Sequence, residues 1–337
     1  MSQSWILERP TEQDILAVYK FLFDEQPDGA LDLAKVLTDG VTWVGVRRAI
    51  CASPEFQEFL SRQHSGRKSL VGPAQRVDIR VDEAKLKTMF ARVEDGFTEL
   101  SNNEPYWAVL TNENYRKENI AAHRSKFFEA GKIDMNVLLQ FAGRANIDLR
   151  AFDTCFELGC GVGRVTVHLA QNFNKVIGWD IAKPMIAEAE VNVSEFGCNN
   201  VELHAVKEFS EFEDLKPFDC FFSKIVLQHN PPPVSYYMLS KILDKLRAGG
   251  IALFQMPTYG FGYSFDADQY LSSPPKKPVE MHCVPQRAIL ELLEDKHCSV
   301  LEIREDGATG NGSRWVSNTF LVKKASAASG SQGCSVL

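Results

Sequence analysis

The chain has 337 residues, a formal charge of −7, eight cysteines and 45% hydrophobic residues. That length exceeds one ordinary domain and can bury a full doubly wound core with something left over, while the acidic balance argues against a nucleic-acid partner, which needs clustered Lys and Arg. The cysteines form no Cys-x-x-Cys pair and no zinc-spaced Cys/His cluster, so no metal site is read and they count as small buried hydrophobes of a reducing compartment. No apolar run approaches membrane-spanning length and the N-terminal stretch lacks a long apolar segment, which together predict a cytoplasmic protein without a membrane span.

Residues 1–65 read as a small helical module. Thr11 can cap a helix with apolar positions at Ile15, Val18, Tyr19 and Leu22, and Ser53-Pro54 supplies an N-cap with proline at the first helical position before Phe56 and Phe59. Tyr19 to Phe59, with Pro27-Asp28-Gly29 and Ser53-Pro54-Glu55-Phe56, resembles a short helical domain of unknown function found beside glycan-modifying enzymes in bacterial surface-glycan systems. The resemblance implies that the module docks a partner or a glycan. Residues 66–75, with Gly66, Gly72 and Pro73, read as a linker.

Residues 76–145 form a lead segment. Val77, Ile79 and Val81 alternate as a short strand would, and Leu86, Phe90, Val93, Phe97 and Leu100 make one face of a helix. Glu104-Pro105-Tyr106-Trp107 follows, then one helix from about Asn112 to Ala130 and another through Met135 to Ala142.

Residues 156–163 read Phe-Glu-Leu-Gly-Cys-Gly-Val-Gly, and Asp180 closes the next apolar run, Val176-Ile177-Gly178-Trp179. A glycine-rich turn between two candidate parallel strands is a nucleotide-binding βαβ unit, and an acid at the end of the second strand is placed to accept hydrogen bonds from ribose hydroxyls. The glycine spacing is G-x-G-x-G, not the G-x-G-x-x-G that seats a pyrophosphate, and Glu157 would repel one. An acid there suits a ligand with an ammonium and a sulfonium group.

Glu157, Gly159, Gly161 and Gly163 match the E/D-x-G-x-G-x-G motif, and at this point the chain resembles the class I S-adenosylmethionine-dependent methyltransferases. Phe218 to Ser223 is similar to that family's fourth strand, Val226-Leu227-Gln228-His229 to the segment after it, and Leu246-Arg247-Ala248-Gly249-Gly250 to the turn entering the fifth strand at Ile251. Val300 to Arg304 and Trp315 to Val322 read as a closing antiparallel hairpin. The resemblance covers residues 146–324 and implies a Rossmann-like α/β fold, a mostly parallel seven-stranded sheet with an antiparallel last strand and helices on both faces. It implies S-adenosylmethionine as cofactor, held by Glu157, Gly159, Cys160, Gly161, Gly163, Arg164, Asp180, Ile181, Met185 and Ser223. After the third strand, Val201 to Ala205, the family places an acid against the adenine amine; Glu208 stands near that point, with Phe209 as an alternative stacking surface. In the family the lead segment walls the substrate pocket, which brings Trp107 and Tyr115 into consideration.

Thr258 to Val284 interrupts the fold after the fifth strand, with Gly260, Gly262, Pro274, Pro275 and Pro278 arguing against a regular helix. Loops at the C-terminal ends of parallel strands sit over the ligand crevice, so Tyr259, Tyr263 and His282 are candidates for substrate selection, against the alternative that these side chains merely pack the loop onto the sheet. Asn230-Pro231-Pro232-Pro233 looks like the N-P-P-aromatic tetrad of nucleic-acid N-methyltransferases. It stands too far beyond the strand and lacks the aromatic, so Asn230 reads as an N-cap of the next helix. The tail, residues 325–337, carries Cys334 fourth from the end; Ser335 is not aliphatic and no basic cluster precedes it, so a prenylation box is not read.

A hydroxyl acceptor benefits from a positioned base, whereas an amine or thiolate needs less help. His229, six residues past the expected end of the fourth strand, tilts the reading toward O-methylation of a small molecule or glycan, with His282 as the alternate base. The alternatives are an N- or C-methyltransferase of a secondary metabolite and a non-catalytic cofactor-binding partner in a glycan assembly.

Overall fold

A computed structural model describes Thr11 and residues 72–274, 279–309 and 314–326. The chain divides into two units at Gly72–Pro73, and the second is the one described below. The helical module expected at 1–65 lies outside the described residues, as does most of the C-terminal tail.

Helix α1 (Glu83–Asn103) starts where Asp82 accepts the Lys85 backbone N–H at 2.9 Å, and it buries Leu86, Met89, Phe90 and Val93 at helical spacing. Pro105 opens a short α2 (Pro105–Val109), and α3 runs unbroken over Ile120–Arg144. The two helices expected here are one. Gly131 does not end it: a Cβ on Gly131 would lie 2.0 Å from the Arg164 carbonyl oxygen, so the glycine permits close approach of α3 to the turn behind it. Val77, Ile79 and Val81 do not form the expected strand. Only Val77 bridges, to Phe265, although all three pack against the core as their alternation implies.

The strands are β1 (Thr154–Leu158), β2 (Lys175–Asp180), β3 (Val201–Ala205), β4 (Phe218–Ser223), β5 (Leu246–Gly260), β6 (Cys298–Glu305) and β7 (Trp315–Lys324). Between them lie α4 (Thr166–Leu169), α5 (Lys183–Glu195), α6 (Pro232–Lys245), α7 (Ala267–Ser272) and α8 (Gln286–Asp295). The seven strands form one sheet in the order β3-β2-β1-β4-β5-β7-β6, and β7 runs antiparallel to both its neighbours. This is the expected class I methyltransferase sheet. Strand order reverses between β1 and β4, the switch point where α/β sheets open a crevice at the carboxyl ends of their strands.

Alternating side chains give the sheet two packed faces. One carries a run of phenylalanines across β1, β4, β5 and β7, in which Phe156 stacks on Phe221 at 5.8 Å and Phe254 on Phe320 at 5.1 Å; α1, α6 and α8 cover it. The other, with Cys155, Cys220, Phe222 and Leu253, packs against Met135, Leu138 and Phe141 of α3. The insertion after β5 holds a six-residue helix, α7, despite its glycines and prolines. Arg92 of α1 donates to the Tyr270, Leu271 and Ser273 carbonyls, satisfying groups that the end of α7 would leave open.

Candidate functional site

The turn after β1 is built by backbone that only glycine adopts cheaply. Gly159 and Gly161 have φ of 72° and 54°, and a Cβ on them would meet Val226 at 2.2 Å and Val109 at 2.8 Å. The Gly159 and Cys160 amides both donate to the Trp179 carbonyl, at 2.7 and 3.1 Å, which draws the turn onto β2. Asp180 completes the tie. One of its carboxylate oxygens accepts the Gly161 N–H and the other the Ala182 N–H, each at 2.9 Å, and the Ile181 N–H bonds the carboxylate as well. Burial raises the Asp180 pKa, opposed by these backbone bonds.

Glu157 is buried and accepts the Thr166 hydroxyl at 2.6 Å. Burial pushes its pKa up to about 7; the Thr166 bond and Arg164 oppose the rise, and the charges of Asp180 and Asp134 add to it. Arg164, also buried, donates to Asp134 of α3 at 2.5 Å, while Lys224 holds the other Asp134 oxygen. The Arg164 Nε has no hydrogen-bond partner.

These groups open on one cavity. Glu157, Gly159, Cys160, Gly161, Arg164, Asp180, Ile181 and Met185 line it as expected from the sequence, and so does His229. Val206, Phe212, Lys224, Val226, Asn230 and Met238 line it too, unread in that role, and α1 and α2 close it with Phe90, Val93, Phe97, Ala108 and Val109. Lys224 and Val226 lie within three residues of the end of β4, which is the signal that marks them.

Several expected residues stand elsewhere. Gly163 turns at φ 84° against Ala189 of α5, and Ser223 donates to the Leu158 carbonyl at 3.1 Å. Glu208 caps the 3-10 turn Phe209–Glu213, and Phe209 packs edge-on to Phe90 and Tyr237; Val206 and Phe212 take the cavity wall instead. Trp107 lies under Arg116 with 4.3 Å between guanidinium and ring centre, and Tyr115 packs on Phe127, so Ala108 and Val109 are the residues of this region that reach the cavity. Tyr259 donates to the Pro73 carbonyl at 3.3 Å. Tyr263 bonds His282 Nδ1 at 2.9 Å, and His282 Nε2 meets Glu280 at 3.1 Å inside a box of Tyr263, Phe265 and Tyr270. None of Trp107, Tyr115, Tyr259, Tyr263 or His282 lines the cavity; the insertion's aromatics pack around their own histidine. Asn230 is no helix cap: its amide donates to the Val226 carbonyl at 2.9 Å and Pro231 occupies the cap position.

His229 ends the 3-10 turn Leu227–His229, its ring edge-on to Phe97 with centres 6.1 Å apart. Nδ1 lies 2.9 Å from the Glu280 carbonyl oxygen, an acceptor only, so Nδ1 carries a proton. Burial lowers the His229 pKa, the Glu280 bond opposes this, and nearby His282 adds to it.

Comparison with known proteins agrees with this geometry. The family described as "Methyltransferase domain" matches residues 156–250, which run from β1 and its glycine turn to the start of β5. These residues belong to a methyltransferase domain. The tRNA/tmRNA (uracil-C(5))-methyltransferase of Mannheimia succiniciproducens is 37% identical over 78 residues, 19% of this chain and 21% of that protein. The enzyme of the same name from Colwellia psychrerythraea is 36% identical over 72 residues, 19% and 20% of the two chains. The chain thus spans about a fifth of the length of these relatives. Among solved structures, the magnesium protoporphyrin IX methyltransferase of Synechocystis PCC 6803 with bound SAH has a TM-score of 0.49 at 18% identity, covering 70% of this chain and 99% of that one. The N-methyltransferase NodS of Bradyrhizobium japonicum gives 0.47 at 13%, covering 69% and 98%.

The cavity of the methyltransferase domain fits S-adenosylmethionine. Gly159 and Gly161 leave backbone where a Cβ would intrude, and the carboxyl groups of Asp180 and Glu157 both border the cavity, chemistry that suits ribose hydroxyls and a cationic group.

Proposed function

We propose that the protein is an S-adenosylmethionine-dependent methyltransferase that methylates a hydroxyl of a small molecule or glycan. The observation that carries this reading is the placement of Glu157, Asp180 and His229 on one cavity at the carboxyl ends of β1, β2 and β4. When bound, the cofactor supplies a methyl group on a positively charged sulfur. Asp180 receives the ribose hydroxyls on its carboxylate, and ionised Glu157 faces the cationic end of the ligand. The apolar walls from α1 and α2 exclude water, and holding two reactants in line contributes on the order of several kcal/mol. His229 takes the proton of the acceptor hydroxyl at Nε2, the ring nitrogen left without one when Nδ1 donates to Glu280. The choice of a hydroxyl rests on that neutral imidazole, and the glycan option rests on the resemblance of residues 1–65 alone.

The test has two steps. Calorimetry should show binding of S-adenosylhomocysteine and none of NAD, and labelled methyl groups should then pass to a member of a panel of sugars and lipid-linked glycans. Transfer only to amines would remove the hydroxyl from the reading, and absence of cofactor binding would remove the activity.

A further inference from the structure

His229 stands at the end of a hydrogen-bond chain whose direction is set by one backbone group. Ile225, in the loop after β4, has φ 59°, an outlier for a β-branched residue. Its N–H can only donate, and it meets Gln255 Oε1 of β5 at 3.0 Å. That fixes the Gln255 amide nitrogen on the other side, where it donates to Ser317 Oγ at 2.6 Å and to Gln228 Oε1 at 2.9 Å. Gln228 therefore turns its own amide nitrogen toward His229 Nε2, 3.1 Å away. An amide nitrogen does not accept, so Nε2 holds a lone pair and no proton. The Glu280 carbonyl, which requires the proton on Nδ1, gives the same tautomer from the opposite side of the ring.

Both glutamines are 1% exposed, so an amide turned the wrong way would leave buried donors facing each other. Protonating His229 would do the same, setting an N–H at Nε2 against the Gln228 N–H. We infer that Gln228 and Gln255 are positioning residues that keep His229 neutral, with its proton-accepting nitrogen at Nε2. The Gln228 N–H must leave Nε2 before a hydroxyl proton can arrive there, so the pair guards the base against protonation by solvent. The inference rests on the proposed role of His229, but its test does not depend on methyl transfer.

The charged and titratable groups around the ring are Glu280 and His282 from the insertion and, on the shared cavity, Lys224, Arg164, Glu157 and Asp180. From α1 the ring meets Phe97. The variants below leave all of them in place.

The experiment follows the side-chain nitrogen and carbon resonances of His229 against pH in the full chain without ligand, assigned by their loss in His229→Asn. In the wild type the neutral ring should be the Nδ1–H tautomer. Gln255→Glu introduces a carboxylate that accepts from Ile225 and from the Gln228 amide, turning Gln228 end for end so that its oxygen faces Nε2 and favours the protonated ring. The His229 midpoint should rise by about one unit or more. Measured against Gln228→Leu alone, the double variant Gln255→Glu with Gln228→Leu should not show that rise, because the relay is cut while the added charge remains. A wild-type ring with the proton on Nε2, or a rise that survives undiminished in the double variant, overturns the inference. Should Gln255→Glu not fold, Gln228→Glu places an acceptor directly at Nε2, and an unchanged midpoint there overturns it equally. A protein with this titration pattern and no methyl transfer would sink the functional reading and leave the relay standing.

Discussion

Gly161 donates its backbone N–H to one carboxylate oxygen of Asp180 at 2.9 Å, so the turn after β1 and the end of β2 move as one piece. Asp180 thus shapes the cradle as well as facing the ligand. Asp180→Ala should weaken S-adenosylhomocysteine binding by about 1.5 to 3 kcal/mol, the value of charge-assisted hydrogen bonds. Unchanged affinity by calorimetry would remove Asp180 from the site.

Glu157 supplies a pH dependence. Its pKa of about 7, against an ordinary value near 4.5, keeps it largely protonated in the free protein below neutrality. A cationic ligand favours the ionised form, so binding at pH about 6 should release a proton and affinity should rise as pH climbs through about 7. Calorimetry in buffers of different ionisation enthalpy measures that release. At pH about 8.5 it should vanish, and Glu157→Gln should abolish it at every pH.

Two glycines of α3 should respond oppositely to alanine. Gly131→Ala drives a Cβ into the Arg164 carbonyl, 2.0 Å away, and should destabilise the protein by about 1 to 3 kcal/mol. Gly143, exposed and with nothing within 4 Å of a new Cβ, should gain about 0.5 to 1 kcal/mol from the better helix former. Urea denaturation of both variants decides it; equal effects would mean that the α3 contact is not as described.

His229 and His282 separate the base from its neighbour. His229→Asn should lower kcat roughly 100-fold or more while S-adenosylhomocysteine affinity stays within a few-fold. His282→Asn, which disturbs the bonds to Tyr263 and Glu280, should cost stability of about 1 to 3 kcal/mol with kcat within a few-fold of wild type. A large kcat loss in the second and none in the first would reverse the assignment.

The glycine turn and Asp180 were legible in the sequence because each is local: apolar period, turn glycines and a terminal acid lie within a few residues of one another, whereas the boundaries of β4 came through the family resemblance. What was not legible depends on what the chain meets far away. The break expected between Ala130 and Met135 is absent because Gly131 lets one continuous helix pass close to the Arg164 carbonyl. Phe209 and Phe212 are alike by type, and only the places taken by Phe90 and Tyr237 decide which lines the cavity. Trp107 by type suits a core at least as well as a pocket, and in the fold it lies under Arg116, outside the cavity lining. Asp134 had no local signal at all, since its two cations come from residues 30 and 90 positions away.

That same aspartate pins α3 behind the residues that line the cavity. Swinging α3 away from the sheet would take from Arg164 and Lys224 the carboxylate they share, a cost of several kcal/mol. The opposite rim holds no such buried ion pair: α1 and α2 contribute only apolar side chains to the cavity and are tied by hydrogen bonds, Arg92 to the α7 carbonyls and Tyr106 to Glu188 and Asn192. Traffic through the site should therefore run past Phe97 and Val109, and amide hydrogen exchange should find α1 and α2 opening more often than the middle of α3. Equal protection along all three helices would place the entrance elsewhere.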